Sequence, residues 1–357
     1  MKAKPRNVLL HAGLPKTATT SIQVTCGKNV ERLKDAGFYF PIFNFDGRQI
    51  TNHTIPLLGL LDDHNHVNLR WGVDPQRARA VYHQQMLDLV GIDEKYRFLL
   101  SAEGVSVWGR KRLMKLKEYL SRLNLNAQVV VVARDPIDWA QSQVQQHVKL
   151  GKTLESVNII NLANNLQNCF KRLEEVFGPS LRVLDFQKLK QHKFGVVSGF
   201  LSELGIDDAL LDSIDYRRVN ESWSYDAIRM ASYINRVLPI FDGNALGSGR
   251  LDKDIHVLSE LHGDPFEFDF ELYTAAREIM APVSDYLGKR YEIAATEHYY
   301  RRPRSWSGTT AKQLTEVIER LPTKELISAA CEFLYREAKA SGKSSPMLEK
   351  AIKGLSN

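Results

Sequence analysis

Four short apolar runs, separated by longer amphipathic stretches, constrain the fold more than any other feature of this chain. They are residues 7–12 (NVLLHA), 97–101 (RFLLS), 128–133 (QVVVVA) and 181–186 (LRVLDF). Each is rich in Val, Leu or Phe and bounded by polar or glycine residues, as strands buried on both faces are. Alternation of such strands with helices is the pattern of a largely parallel sheet, so the expected class is α/β in three layers, a central mainly parallel sheet flanked by helices.

Helices are expected at residues 20–36, 76–90, 111–123, 136–149 and 154–177. Pro136 suits a first helical turn, where its missing N–H would be unpaired anyway. Beyond the fourth strand the chain reads as mainly helical, with stretches at 194–204, 225–238 and 270–287. Glycines and aspartates in 238–265 mark a surface loop. The run 301–308 reads as a linker, two helices separated by Pro322 follow within 311–340, and 343–357 is expected to fray. The division that follows is an α/β domain over 1–300 and a helical C-terminal extension over 301–357.

With 43% hydrophobic and 25% charged residues in 357, the composition is that of a soluble globular protein, not of a disordered or membrane-embedded chain. Forty-eight Lys and Arg against 42 Asp and Glu leave a formal charge of +6 and a pI near 9.0. That balance favours an anionic ligand or acceptor and is too weak to imply nucleic acid. Three scattered cysteines, Cys26, Cys169 and Cys331, suggest neither a disulfide framework nor a zinc site. The apolar run from Val8 to Leu10 is too short for a signal-peptide core and no stretch approaches a membrane span. A cytoplasmic location without integral membrane contact is expected.

The chemistry begins directly after the first strand. Gly13 and Pro15 make a tight turn, and Lys16, Thr17, Thr19, Thr20 and Ser21, with Ala18 among them, open a helix. Main-chain N–H groups at a helix start point at an anion, the helix dipole favours negative charge, and Lys16 adds a full positive charge. The hydroxyls can donate to oxyanions. The spacing is not G-x-x-x-x-G-K-[ST], because Gly13 lies three residues before Lys16. A phosphate loop of another kind is expected, on a P-loop-like fold.

A second motif stands after the third strand. Arg134 occupies its carboxyl end, where open α/β sheets collect ligands. Arginine suits bidentate grip of a phosphate, and Ser142, two helical turns along, could donate a further hydrogen bond.

Together, HAGLPKTATTSIQ (His11 to Gln23) and VVVVARDPIDWAQS (Val129 to Ser142) resemble the two signature segments of sulfotransferases that use 3′-phosphoadenosine 5′-phosphosulfate (PAPS), in the style of bacterial and carbohydrate-type members. The resemblance runs from about residue 6 to 205. It implies that the loop from Gly13 to Ser21 holds the 5′-phosphosulfate and that Arg134 and Ser142 hold the 3′-phosphate. It also implies that PAPS is the donor, that the bisphosphate nucleotide PAP (3′,5′-ADP) is the product, and that no metal is required. Ala18 stands where glycine is frequent in that family. The family's later basic phosphate clamp has no clear counterpart, and Arg218, within RRVNES (217–222), is the candidate replacement.

Sulfuryl transfer needs a base for the acceptor hydroxyl and charge stabilisation on the leaving phosphate. Lys16 is the expected stabiliser. Glu103, following the second strand in a place where the family often has a catalytic histidine or glutamate, is the first candidate base, and His53, in a polar segment near a helix start, is the second. Phe186, at the end of the fourth strand, is a candidate to stack on adenine. The expected activity is sulfation of a hydroxyl on a small-molecule or glycan acceptor, with peripheral membrane contact if the acceptor is a glycolipid. The alternative is an ATP-dependent small-molecule kinase of P-loop type. Oligomeric state leaves no mark in the sequence.

Overall fold

The computed structural model describes residues 5–62, 74–217, 219, 222–242, 245–246, 250–251, 253–293, 300, 305–340 and 346–355. The chain forms two compact units. The first comprises Met1–Pro136, Asn164–Asn220 and Pro282–Thr296, and the second Ile137–Ala163, Glu221–Ala281 and Glu297–Asn357.

The first unit is built on β1 (Arg6–His11), β2 (Phe38–Tyr39), a short hairpin of β3 (Phe43–Phe45) and β4 (Arg48–Ile50), β5 (Arg97–Ser101), β6 (Leu125–Ala133) and β7 (Leu181–Asp185). Five of these make one sheet in the order β2-β5-β1-β6-β7, and all four pairings are parallel. The four apolar runs are therefore its four long strands. The expected double burial holds best for β6, where Val129 to Ala133 are all buried. The fifth strand, β2, is two residues long and leaves no periodic signal to read.

Helices of this unit flank the sheet: α1 (Thr19–Lys28), α2 (Val30–Asp35), α3 (Thr54–Leu61), α4 (Pro75–Val90), α5 (Arg110–Arg122), the part of α7 (Ile159–Phe177) from Asn164 on, α8 (Phe186–Lys190), α9 (Val196–Glu203) and α10 (Asp208–Ser213); α6 (Pro136–Lys149) belongs to the second unit from Ile137 on. Alternate residues Leu9, Leu99, Val130, Val132 and Leu184 join Ile22, Cys26, Phe200, Leu201 and Leu211 in one buried cluster, which locks α1, α9 and α10 to one face of the sheet. The period-two alternation of a strand sets this face, and the helical stripe supplies its partners. The molecule is thus α/β with a parallel central sheet between helices, as expected.

The second unit is helical, with α11 (Tyr225–Val237), the part of α12 (Phe270–Tyr291) up to Ala281, α13 (Ala311–Glu319), α14 (Lys324–Ala340) and α15 (Pro346–Leu355). α14 packs on α11, and α13 on both α15 and the turn at His256–Glu260. Residues 343–357, expected to fray, instead include α15, with Leu348 and Ala351 buried. Within 238–265, Arg250 and Asp254 form a buried ion pair, Arg250 Nε to Asp254 Oδ2 at 2.5 Å. No helix among the described residues is long and apolar enough to cross a membrane.

Candidate active site at the carboxyl edge of the sheet

β5, β1 and β6 are adjacent, and the residues following them carry the candidate chemistry. Gly13 N–H donates to the Ala102 carbonyl at 3.1 Å and Ala12 N–H to the Val130 carbonyl at 2.8 Å, so the loop after β1 is stitched to both neighbouring strand ends. Gly13 is required by close approach. A Cβ there would lie 2.4 Å from Thr19 Cγ2.

The loop backbone is turned by two non-glycine residues at positive φ, Lys16 (69°) and Ala18 (64°). Such conformations are uncommon for residues with a Cβ, and alternation of left- and right-handed residues builds anion-binding concavities from successive N–H groups. α1 begins immediately after, with Ala18 as a left-handed N-cap that offers no side-chain hydrogen bond. The first N–H groups of a helix have no partner within it, so an anion here would meet them.

The hydroxyls divide their work differently from the sequence-based expectation. Thr17 and Thr19 are buried, and both Oγ1 groups donate to the Leu14 carbonyl, at 2.6 and 3.3 Å. Ser21 Oγ accepts from Val219 N–H at 3.1 Å. A hydroxyl has one proton, so Thr17 and Thr19 brace the loop rather than donate to a ligand. Ser21, which only accepts, keeps its proton to donate, and it stands with half-buried Lys16, half-buried Thr20 and the main chain around the turn.

Lys16, Glu103 and Arg134 are brought together. Arg134 follows β6, and its guanidinium donates to the Lys16 carbonyl at 3.3 Å and lies 5.1 Å over the Phe186 ring. Glu103 opens the short helix Glu103–Val107 after β5. Burial raises its pKa above the usual carboxylate range, and the Lys16 charge opposes that rise. Lys16 itself is lowered by burial, supported by Glu103 and disfavoured by Arg134. A half-buried cation and a half-buried acid thus tune each other electrostatically.

Two candidates take other parts. His53 is fully buried, its Nδ1 accepts from Ser101 N–H at 2.7 Å, and its Nε2 faces the Pro41 carbonyl at 2.8 Å. Burial lowers its pKa to about 4. With both nitrogens engaged it cannot take a proton from an acceptor, so the expectation of a second base is corrected. Phe186 packs against the buried cluster and under the Arg134 guanidinium. It orients that guanidinium.

Ser142 is half-buried on α6, in the second unit. Arg218 lies outside the described residues. Of the basic run on α5, Arg110 pairs with Glu175 and Arg112 with Asp62. A separate cleft of about 620 Å³ in the second unit, bordered by Ser222, His262, Gln313 and Arg320, contains none of the loop residues.

Residues the sequence did not single out also shape the site. Gln23 Nε2 donates to the Ser101 carbonyl at 3.0 Å, Thr54 Oγ1 accepts from Gly104 N–H at 2.9 Å, and Ser106 Oγ donates to the Gly13 carbonyl at 2.8 Å. These partners are 50 to 93 positions apart in the chain, beyond the reach of any local pattern. Comparison of the sequence with protein-family models and with curated proteins gives no match.

Proposed function

We propose that this chain is a PAPS-dependent sulfotransferase that sulfates a hydroxyl of a carbohydrate or glycolipid acceptor. The observation that carries the reading is the meeting of Lys16, Glu103 and Arg134 at the carboxyl ends of three adjacent parallel strands. When bound, PAPS supplies a sulfur already joined to a good leaving group, a nucleotide phosphate. The positive-φ loop, the start of α1, Lys16 and Thr20 fit its 5′-phosphosulfate, and Arg134 fits its 3′-phosphate. Ser142 is assigned to the same phosphate by its sequence motif. Adenine stacking on Phe186 is not part of the proposal, because that ring carries the guanidinium.

Glu103 takes the proton of the acceptor hydroxyl as that oxygen bonds to sulfur. Lys16 stabilises the phosphate oxygen that keeps the electron pair of the broken S–O bond. Because burial raises the Glu103 pKa, the carboxylate form, and with it transfer, is lost as pH falls through that raised value. The proposed location is cytoplasmic, and the proposed acceptor is a glycan or small molecule rather than nucleic acid, for which the net charge of +6 is too weak.

The test is thermal stabilisation by 3′,5′-ADP without metal, compared with ATP plus magnesium. A ligand at 100 times its Kd adds about 2.7 kcal/mol, which is visible as a raised Tm. The expected outcome is stabilisation by 3′,5′-ADP, with Arg134→Ala erasing its advantage over 5′-AMP and Lys16→Ala abolishing transfer. Stabilisation by ATP and magnesium alone would replace this reading with the kinase.

A further inference from the structure

We infer that His53 and Thr54 form a clamp that positions Glu103 beside Lys16. The inference rests on the reading of Glu103 as the base, and it gives His53 and Thr54 a role that touches neither donor nor acceptor.

The need for a clamp lies in the sheet. β2 pairs with β5 only at Phe38↔Arg97 and Tyr39↔Phe98, so the last residues of β5 run on past the end of their neighbour. Unpaired main-chain groups in a buried strand are costly. His53 takes the place of the missing strand: its own N–H donates to the Ser101 carbonyl at 2.9 Å, and its ring Nδ1 accepts from Ser101 N–H at 2.7 Å. The ring is fixed by the Pro41 carbonyl at 2.8 Å and by Phe40, 4.7 Å away between centroids. Since Nδ1 accepts, Nε2 carries the proton and donates to Pro41.

Thr54 holds the other side. Its Oγ1 accepts from Gly104 N–H at 2.9 Å, and the approach is so close that a Cβ on Gly104 would lie 2.5 Å from Thr54 Cγ2. Two consecutive residues therefore grip the main chain two residues before Glu103 and one residue after it. Gln23, from α1, reinforces the grip by donating to the Ser101 carbonyl at 3.0 Å, and Asn52 Oδ1 accepts from Thr54 N–H at 3.1 Å. Glu103 is left with its side chain directed by a main chain held at both ends, and the charge facing it is Lys16.

A positioning role differs from simple support of the fold in what it does to Glu103. Release of the clamp frees the carboxylate from both the burial that raises its pKa and the Lys16 charge that opposes the rise, and because burial is the larger of the two its titration shifts downward, toward the ordinary carboxylate range. His53→Gln keeps a donor for Pro41 and loses the acceptor for Ser101, whereas His53→Asn keeps the acceptor and loses the donor. Thr54→Val removes the Gly104 bond with little change of shape, and Thr54→Ser retains it.

The experiment is a pH titration of the Glu103 carboxyl carbon in full-length protein labelled at glutamate Cδ, assigned by the signal missing in Glu103→Gln. In His53→Gln and Thr54→Val the Glu103 pKa should fall toward the ordinary carboxylate range, opposite to its rise in Lys16→Ala, while His53→Asn and Thr54→Ser titrate as the wild type does. Transfer should fall about 100-fold in kcat with the Kd for 3′,5′-ADP unchanged. Identical Glu103 titration in the wild type, His53→Gln and Thr54→Val overturns the clamp. Failure of the wild type to bind 3′,5′-ADP would instead remove the sulfotransferase reading, and the titration still decides the clamp by itself.

Discussion

Ala18 shows how much of the site is decided one residue at a time. It holds φ 64° at the N-cap of α1, a conformation that costs an L-residue roughly 1 to 2 kcal/mol, at the position where the resembled family often has glycine. Ala18→Gly should raise stability by up to about 1 kcal/mol after the entropy of the freer unfolded chain is subtracted. A shift of the urea midpoint measures it, and an unchanged or lowered midpoint would mean the left-handed turn is not strained. The same scale explains three side chains whose surroundings differ from the sequence-based expectation. His53 in a polar segment reads as a titrating group, yet tertiary packing leaves its ring with no exposed surface. Thr17 and Thr19 read as ligand donors because composition lists hydroxyls without saying where their protons go. The placement of Lys16, Glu103 and Arg134 in the turns that follow β1, β5 and β6 was legible, because the ends of apolar strands are legible.

At the scale of elements, boundaries follow local signals except where a distant partner intervenes. Residues 20–36 carry the pattern of one helix but form α1 and α2, broken at Asn29. The Asn29 side chain donates to the Thr25 and Asp215 carbonyls and accepts from Asp215 N–H, a partner 186 positions away. Packing of α8 against α9 depends similarly on Gly199, where a Cβ would lie 2.4 Å from the Leu189 carbonyl oxygen. That atom belongs to the main chain and cannot swing aside. Gly199→Ala should therefore destabilise the first unit by roughly 1 to 3 kcal/mol through overpacking, read as a lower Tm. Wild-type stability in that variant would show that the two helices separate freely.

For the whole molecule, the two histidines buried among the described residues couple folding to pH. His11, with Nδ1 2.9 Å from Ser101 Oγ, and His53 have pKa values lowered by burial from the ordinary 6.5 to about 3 and about 4. Below pH 6.5 the unfolded chain binds protons at both residues that the folded chain excludes. Their contribution to stability is thus fully present above about pH 6.5 and is lost progressively as pH falls toward 4 and then 3. Each proton excluded steepens the loss by about 1.4 kcal/mol per pH unit. Unfolding free energies measured between pH 7 and 4.5 should fall less steeply in His53→Asn than in the wild type, and parallel curves would refute the linkage.

The amino-acid sequence alone determined the class of the fold, the four long strands and the residues at their carboxyl ends, because burial on both faces and helical periodicity are written in neighbouring positions. Only the tertiary structure decided the strand order, the two-residue edge strand, the bracing of the loop by its own threonines and the placement of His53 against Ser101. Those features join residues tens of positions apart, and a hydrogen bond between such partners exists only once the sheet has set the distance between them.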